Sequence, residues 1–153
     1  MTTTVDYADV AKLTGTDLGW TEWLEVTQDR VNLFADATDD HQWIHVDREA
    51  AAQGPFGATI AHGFLVLSLM AKMTSSAGLE LQGARMGMNY GFDRVRITNV
   101  VRAGDRIRGR FVLKDLVERQ PGQWLMTHAI TVEVEGQAKP AVVAEWLGLQ
   151  FVG

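Results

Sequence analysis

The chain has 153 residues, no cysteine, and a formal net charge of −5 from 19 acidic and 14 basic side chains. Without thiols there is no disulfide framework, no covalent cysteine intermediate and no thiolate metal site. The acidic balance speaks against a nucleic-acid partner, which needs a basic face. With 46% apolar and 22% charged residues, the composition is that of an ordered chain. It reads as a single domain spanning 1–153, long enough to bury about 70% of its unfolded surface.

The start, Met1-Thr2-Thr3-Thr4-Val5-Asp6, has neither a basic n-region nor an apolar h-region. No secretory signal is expected, and a cytoplasmic location is. Val5 to Leu13 reads as a short helix stopped by Gly15, and Trp20 to Val26 as a strand. Thr27 has the character of an N-cap, opening a helix through about Ala37 with Val31, Phe34, Ala35 and Thr38 along one face. Asp39 to Ile44 follows as an exposed turn. Asp47 caps a second short helix through Ala52, which Gly54-Pro55 ends.

A long helix is expected from about Ala61 to Ala77. Phe64, Leu65, Val66, Leu67, Leu69, Met70 and Met73 leave it no wide polar face, so it must be enclosed on most sides. Its apolar run, Ala58 to Met70, falls short of the about 20 residues of a membrane span, and no membrane partner is expected. The remainder reads as strands. Arg106 to Leu116 alternates, with Ile107, Gly109, Phe111 and Leu113 on one side and Arg106, Arg108 and Arg110 on the other. Trp124 to Glu135 and Ala141 to Val152 are separated by Gly136 to Pro140. Gly83 and Gly87 suggest bulges. A helix packed on an antiparallel sheet, an α+β domain, is what this pattern supports.

The chemistry concentrates after the first amphipathic helix. The stretch Phe34-Ala35-Asp36-Ala37-Thr38-Asp39-Asp40-His41-Gln42-Trp43-Ile44-His45 sets a carboxylate, an amide and an imidazole at Asp40, Gln42 and His45. A carboxylate accepts a proton near neutral pH and an imidazole donates or relays one. Taken alone, Asp40 also reads as a turn residue and His45 as a satisfied, partly buried histidine. No His/Asp/Glu cluster has metal-ligand spacing and there is no phosphate loop, so neither a metal nor a cofactor is expected.

Asp40-x-Gln42-Trp43-x-His45, with the preceding Phe34-Ala35-Asp36-Ala37-Thr38, resembles the hydratase signature of the MaoC-like family, the (R)-specific enoyl-CoA hydratases. Two further blocks follow in the family's order. Gly54-Pro55-Phe56-Gly57 through Ile60-Ala61-His62-Gly63-Phe64-Leu65 resembles the stretch leading into its central helix. Asn89-Tyr90-Gly91-Phe92-Asp93-Arg94-Val95-Arg96 resembles the strand after it. The resemblance implies a hot-dog fold, a curved antiparallel sheet wrapped around a long central helix, and a homodimer. It also implies reversible syn hydration of a trans-2-enoyl-CoA to the (R)-3-hydroxyacyl-CoA, with CoA part of the substrate rather than a cofactor.

In this reading Asp40 is the base, His45 holds or relays the proton, and the Gly63 amide at the start of the helix stabilises the thioester oxygen. Gly63 also reads as a glycine tolerated for tight entry into the helix. Gln42 contacts the water or the thioester, or faces solvent; His62 orients the loop or touches substrate. Asn89, Tyr90 and Gly91 line the acyl tunnel or the dimer contact. Arg94 is the arginine assigned to the CoA phosphates, although alternating arginines on strands also mark a solvated face. Three departures stand out: Gln42 replaces the usual Asn, Trp43 the usual Pro, and Asp39 the usual Gly. A hot-dog acyl-CoA thioesterase, and a non-catalytic acyl-binding or silent dehydratase subunit, are the competing readings.

Overall fold

The computed structural model describes residues 3–6 and 9–153. In chain order the elements are β1 (Thr3–Val5), α1 (Val10–Leu13), β2 (Asp17–Trp20), β3 (Leu24–Glu25), α2 (Gln28–Thr38), α3 (Trp43–Val46), α4 (Arg48–Ala52), α5 (Gly63–Ala77), β4 (Leu79–Leu81), β5 (Ala84–Ile97), β6 (Arg106–Gln120), β7 (Gln123–Val134) and β8 (Val142–Val152). The long strands form an antiparallel sheet in the order β2-β6-β7-β8-β5, and β3 also pairs with β6. Helix α5 packs on one face of it, giving the expected α+β, hot-dog arrangement.

The alternation anticipated for β6 sets the core. Ile107, Gly109 and Phe111 are buried toward α5 and Leu113 joins a second cluster with Leu79, Leu81, Leu116 and Met126, while Arg106 and Arg110 are exposed. A register shift between Leu113 and Asp115 then moves the next buried position to Leu116. Gly109 lets the helix approach closely: a Cβ there would lie 3.1 Å from the Met73 sulfur and 2.9 Å from the Phe111 ring. Leu65, Val66, Leu69, Met70 and Met73 of α5 meet Ile107, Phe111, Ile130 and Val132 of the sheet. Each such side chain contributes about 1.5–3 kcal/mol by leaving water.

Several expectations need correction. Thr3–Val5 is a strand, paired in parallel with β4, so only Val10–Leu13 of the expected Val5–Leu13 helix is helical; residues 7 and 8 lie outside the described residues. The β-branched Thr3, Thr4 and Val5 suit an extended edge. The strand expected from Trp20 to Val26 is interrupted between β2 and β3. At the break the buried Thr21 hydroxyl accepts a hydrogen bond from Gly109 N–H (2.9 Å). Gly83 forms the turn between β4 and β5, and the irregularities of β5 lie at Ala84/Met86, Asn89/Gly91 and Phe92/Arg94, none of them at Gly87 itself.

Helix α5 is not enclosed all round in this chain. Phe64 is 72% exposed, and Ser68, Ala71, Lys72 and Ser75 share its open side. The strand arginines on the outer face are matched by acids. Arg106 pairs with Glu135 (3.0 Å), Arg108 with Glu133 (2.5 Å) and Arg110 with Asp17. Arg108 also lies over the rings of Trp20 and Trp23, at 4.6 and 4.4 Å.

Candidate active site

Helix α2 begins as the sequence requires, with the Thr27 hydroxyl accepting from Arg30 N–H (3.2 Å). It ends at Asp39, whose φ of 57° places it in the left-handed region. A glycine is free to take that conformation, and Asp is among the residues that tolerate it. The backbone reversal at Asp39 carries the chain through Asp40 into Gln42, which precedes the single turn of α3. The segment expected to be an exposed turn is exposed from Asp39 through Trp43, with Ile44 half-buried. It passes into helix at Trp43, and one helical turn carries His45 inward, leaving it 7% exposed.

Three backbone and side-chain contacts fix His45. Ile60 N–H donates to Ile44 O (2.9 Å), and His45 Nδ1 donates to Ile60 O (2.7 Å). Gln28 Nε2 donates to His45 O (2.8 Å), while the Gln28 side-chain oxygen accepts from the Thr59 hydroxyl. A carbonyl can only accept, so the proton of the neutral imidazole sits on Nδ1 and Nε2 carries a free lone pair. Burial holds the His45 pKa below its ordinary value. The hydrogen bond to Ile60 opposes that shift, the neighbouring His62 reinforces it and Asp40 opposes it. Gln28 and Thr59 did not stand out in the sequence: a buried Gln on a helix carries no motif, and only its 8% exposure reveals it.

His62 is the N-cap residue of α5 and is 3% exposed. Its Nε2 donates to the backbone oxygen of Asp40 (2.9 Å) and lies 3.9 Å from the Asp40 carboxylate. Its ring stacks on His45 with centroids 3.7 Å apart and packs against Phe34 at 5.0 Å. The Asp40 side chain remains 53% exposed. The result is one polar cluster with a carboxylate at its mouth and two stacked imidazoles behind it.

Donor atoms of Asp40, His45 and His62 all lie within 4.8 Å of one another, close enough for a cation to span. Sequence spacing gave no sign of this grouping, because His62 arrives from a separate segment. Two of the four ring nitrogens, His45 Nδ1 and His62 Nε2, are already committed to carbonyl oxygens.

Gly63 opens α5 directly after His62, where first-turn amides have no intrahelical acceptor. Its missing side chain has a packing cause: a Cβ there would lie 2.5 Å from Ile97 Cδ1. Gln42 is exposed beside the cluster. The third block is placed differently. Asn89, Gly91 and Arg94 lie along β5, opposite Gly148, Leu147 and Glu145 of β8. Asn89 lines a cavity beside the C-terminal half of α5, whereas Arg94 lines a second depression together with Arg96, Arg110 and Glu145. Among the described residues, no hydrogen bond or ring contact joins these three to the Asp40–His45–His62 cluster.

A helix seated on an antiparallel sheet, with a carboxylate–imidazole cluster at the helix N-terminus, defines a hot-dog protein with the makings of a hydro-lyase. Residues 9–136 match the family described as the MaoC like domain. The chain is 47% identical over 146 residues to Nodulation protein N of Rhizobium meliloti, covering 95% of this chain and 91% of that one. It is 46% identical over 145 residues to 3-hydroxyacyl-thioester dehydratase Z of Mycobacterium tuberculosis, covering 95% of each. Among solved structures, an (R)-hydratase from A. caviae involved in PHA biosynthesis superimposes with a TM-score of 0.70. That match has 21% identity and covers 88% of this chain and 94% of that one. The chain belongs to the MaoC-like dehydratase family, and its chemistry is that of a hydro-lyase.

Proposed function

We propose that the protein is an (R)-specific enoyl-CoA hydratase, adding water reversibly to a trans-2-enoyl-CoA to give the (R)-3-hydroxyacyl-CoA. The observation that carries this reading is the bond from His45 Nδ1 to Ile60 O, which leaves Nε2 as an acceptor beside the Asp40 carboxylate. A water between them donates one hydrogen to each and turns an oxygen lone pair toward C3. As the C3–O bond forms, Asp40 takes a proton and the π electrons move onto the thioester, whose oxygen becomes anionic. The Gly63 amide receives that charge. Collapse of the enolate then draws the proton from Asp40 to C2 on the same face, completing syn addition. His45 stays neutral, as its lowered pKa requires.

Gln42, exposed at the rim, is assigned to the thioester side, and His62 holds the Asp40 backbone. Asn89 and Gly91 are assigned to the acyl chain and Arg94 to the CoA phosphates, on likeness to the family. The similar chains named a 3-hydroxyacyl-thioester dehydratase and an (R)-hydratase support the reaction and its stereochemistry.

The working form is a homodimer. Edge strand β5 carries exposed Met86, Met88, Tyr90 and Phe92, and Phe64 of α5 is 72% exposed. Such an apolar edge invites pairing with a second copy. Among the described residues no helix is long and apolar enough to cross a membrane, and the reaction is assigned to the cytoplasm. The deciding experiment follows loss of enoyl absorbance with crotonyl-, octenoyl- and dodecenoyl-CoA, with chiral analysis of the product. No loss of absorbance with any of them, or formation of the (S) product, would overturn the assignment.

A further inference from the structure

A cavity of about 530 Å³ lies between the C-terminal half of α5, strand β5, and strands β7 and β8. Ala71, Met88, Met126 and Trp146 give it an apolar wall, and the exposed Glu80, Arg85 and Asn89 stand at its margin. His128 is a buried polar group in that wall. It lies on β7 between Leu113 of β6 and Trp146 of β8, is 9% exposed, and sits edge-on to Phe111 at 6.2 Å. Its Nε2 is buried and has no hydrogen-bond partner. Burial pushes its pKa down to about 4, so the ring is neutral in the working range.

Of the other polar side chains of this cavity, Glu80, Arg85 and Asn89 are exposed to water at its rim, and Gln150, Thr74 and Ser75 are hydrogen-bonded. Gln150 accepts from Leu81 N–H and donates to Leu79 O, both at 2.8 Å. The hydroxyls of Thr74 and Ser75 donate to Ala71 O and Lys72 O of their own helix. A leucine or methionine at position 128 would fill similar space without leaving a polar atom unsatisfied, which costs free energy in an apolar wall. The imidazole is therefore a hydrogen-bonding group whose partner comes from outside the chain.

We propose that this cavity receives the distal part of the acyl chain, and that His128 selects chains bearing a hydroxyl or oxo oxygen there. The inference rests on the hydratase reading above. An acyl thioester supplies the elongated apolar body that the walls require. A neutral imidazole offers one N–H and one lone pair, so a hydroxyl satisfies either tautomer and an oxo group satisfies the N–H form. A site built around such a bond disfavours the analogue lacking it, because the buried nitrogen is then left unpaired.

The test compares trans-2-dodecenoyl-CoA with its counterparts carrying a hydroxyl or an oxo group on the last few carbons, as kcat/KM on the wild-type protein. A preference of about tenfold or more for an oxygenated chain is expected, expressed mainly in KM. Equal or lower values for both oxygenated chains overturn the proposal; the hydroxyl and oxo arms distinguish which oxygen is read. His128→Leu should bring the ratio to about one or below, and a ratio unchanged in a folded His128→Leu would also overturn it. Should that variant fail to fold, His128→Gln, which keeps a donor and an acceptor, should retain part of the preference. If no enoyl thioester is hydrated at all, the hydratase reading fails separately. Calorimetric binding of saturated dodecanoyl-CoA against its oxygenated counterparts then decides the role of His128: tighter binding of the oxygenated chain supports it and equal binding ends it.

Discussion

His45 lies nearly flat on His62, with ring centroids 3.7 Å apart and planes inclined by 25°. Two imidazolium rings in that arrangement would repel, and His62 contributes to holding the His45 pKa below 6.5. If neutral His45 is the acceptor for water, kcat/KM should fall on the acid side with an apparent pKa below 6.5. His62→Gln should move that limb to higher pH by removing the facing imidazole. The same shift has a stability consequence. The folded state resists protonation at His45 and the unfolded chain does not, so this part of the stability is present above pH 6.5 and is lost as pH falls through the lower folded value. Recording pH–rate profiles of both proteins checks the first claim, and an acid limb that stays in place in His62→Gln would reject it.

Asp40→Asn should lower turnover by about 10² or more, because the amide keeps the shape but cannot take a proton from water. Asp40 is 53% exposed on its side chain, so the change in stability should stay within about 0.5 kcal/mol. His45→Ala should lose comparable activity. The double variant should lose much less than the product of the two, since both groups act on one water. Steady-state kinetics and chemical denaturation on the four proteins measure this cycle.

Asp39→Gly should stabilise the fold by about 0.5–1 kcal/mol. Asp39 holds φ at 57° at the end of α2, where glycine bears no Cβ penalty and where an acid faces the negative end of the helix dipole. Turnover should change by less than about tenfold, equal to about 1.4 kcal/mol in barrier. A thermal melt with parallel rates reports both numbers.

Gly63→Val should destabilise the protein, because a Cβ at Gly63 already meets Ile97 Cδ1 at 2.5 Å. Ile97 is 49% exposed, so Ile97→Ala should be mild alone and should restore part of the stability lost in Gly63→Val. Such coupling between touching residues is typically about 0.5–3 kcal/mol. If the paired variant folds but stays inactive, bulk beside the amide obstructs the thioester. Recovery of full turnover would remove Gly63 from the proposed oxyanion role.

Gln28→Leu should cost about 1–3 kcal/mol by leaving the buried Thr59 hydroxyl and the His45 carbonyl unpaired. Because those bonds tie α2 to α3, turnover should fall as well, through looser placement of His45. Gln28→Glu keeps the acceptor for Thr59 and should be the milder of the two at low pH, where the carboxyl can also donate. Denaturation midpoints and turnover at two pH values distinguish these outcomes.

Elements whose periods or end signals are local were legible in the order of residues alone. Thr27 and Asp47 cap the helices they were expected to cap, and β6 alternates as its arginines and apolar residues require. The apolar density from Ala61 to Ala77 foretold a helix beneath the sheet, and three motif blocks in order pointed to the family to which the chain belongs. Tertiary structure decided what depends on partners distant in the chain. Thr3–Val5 became a strand because β4 offers it an edge, and His62 joined Asp40 and His45 because Phe34 and the Asp40 carbonyl receive it. The lone pair on His45 Nε2 exists only because Ile60, 15 residues on, fixes the tautomer. A propensity is a property of a few neighbouring residues, whereas a proton's position is set by whichever carbonyl the folded chain brings within reach.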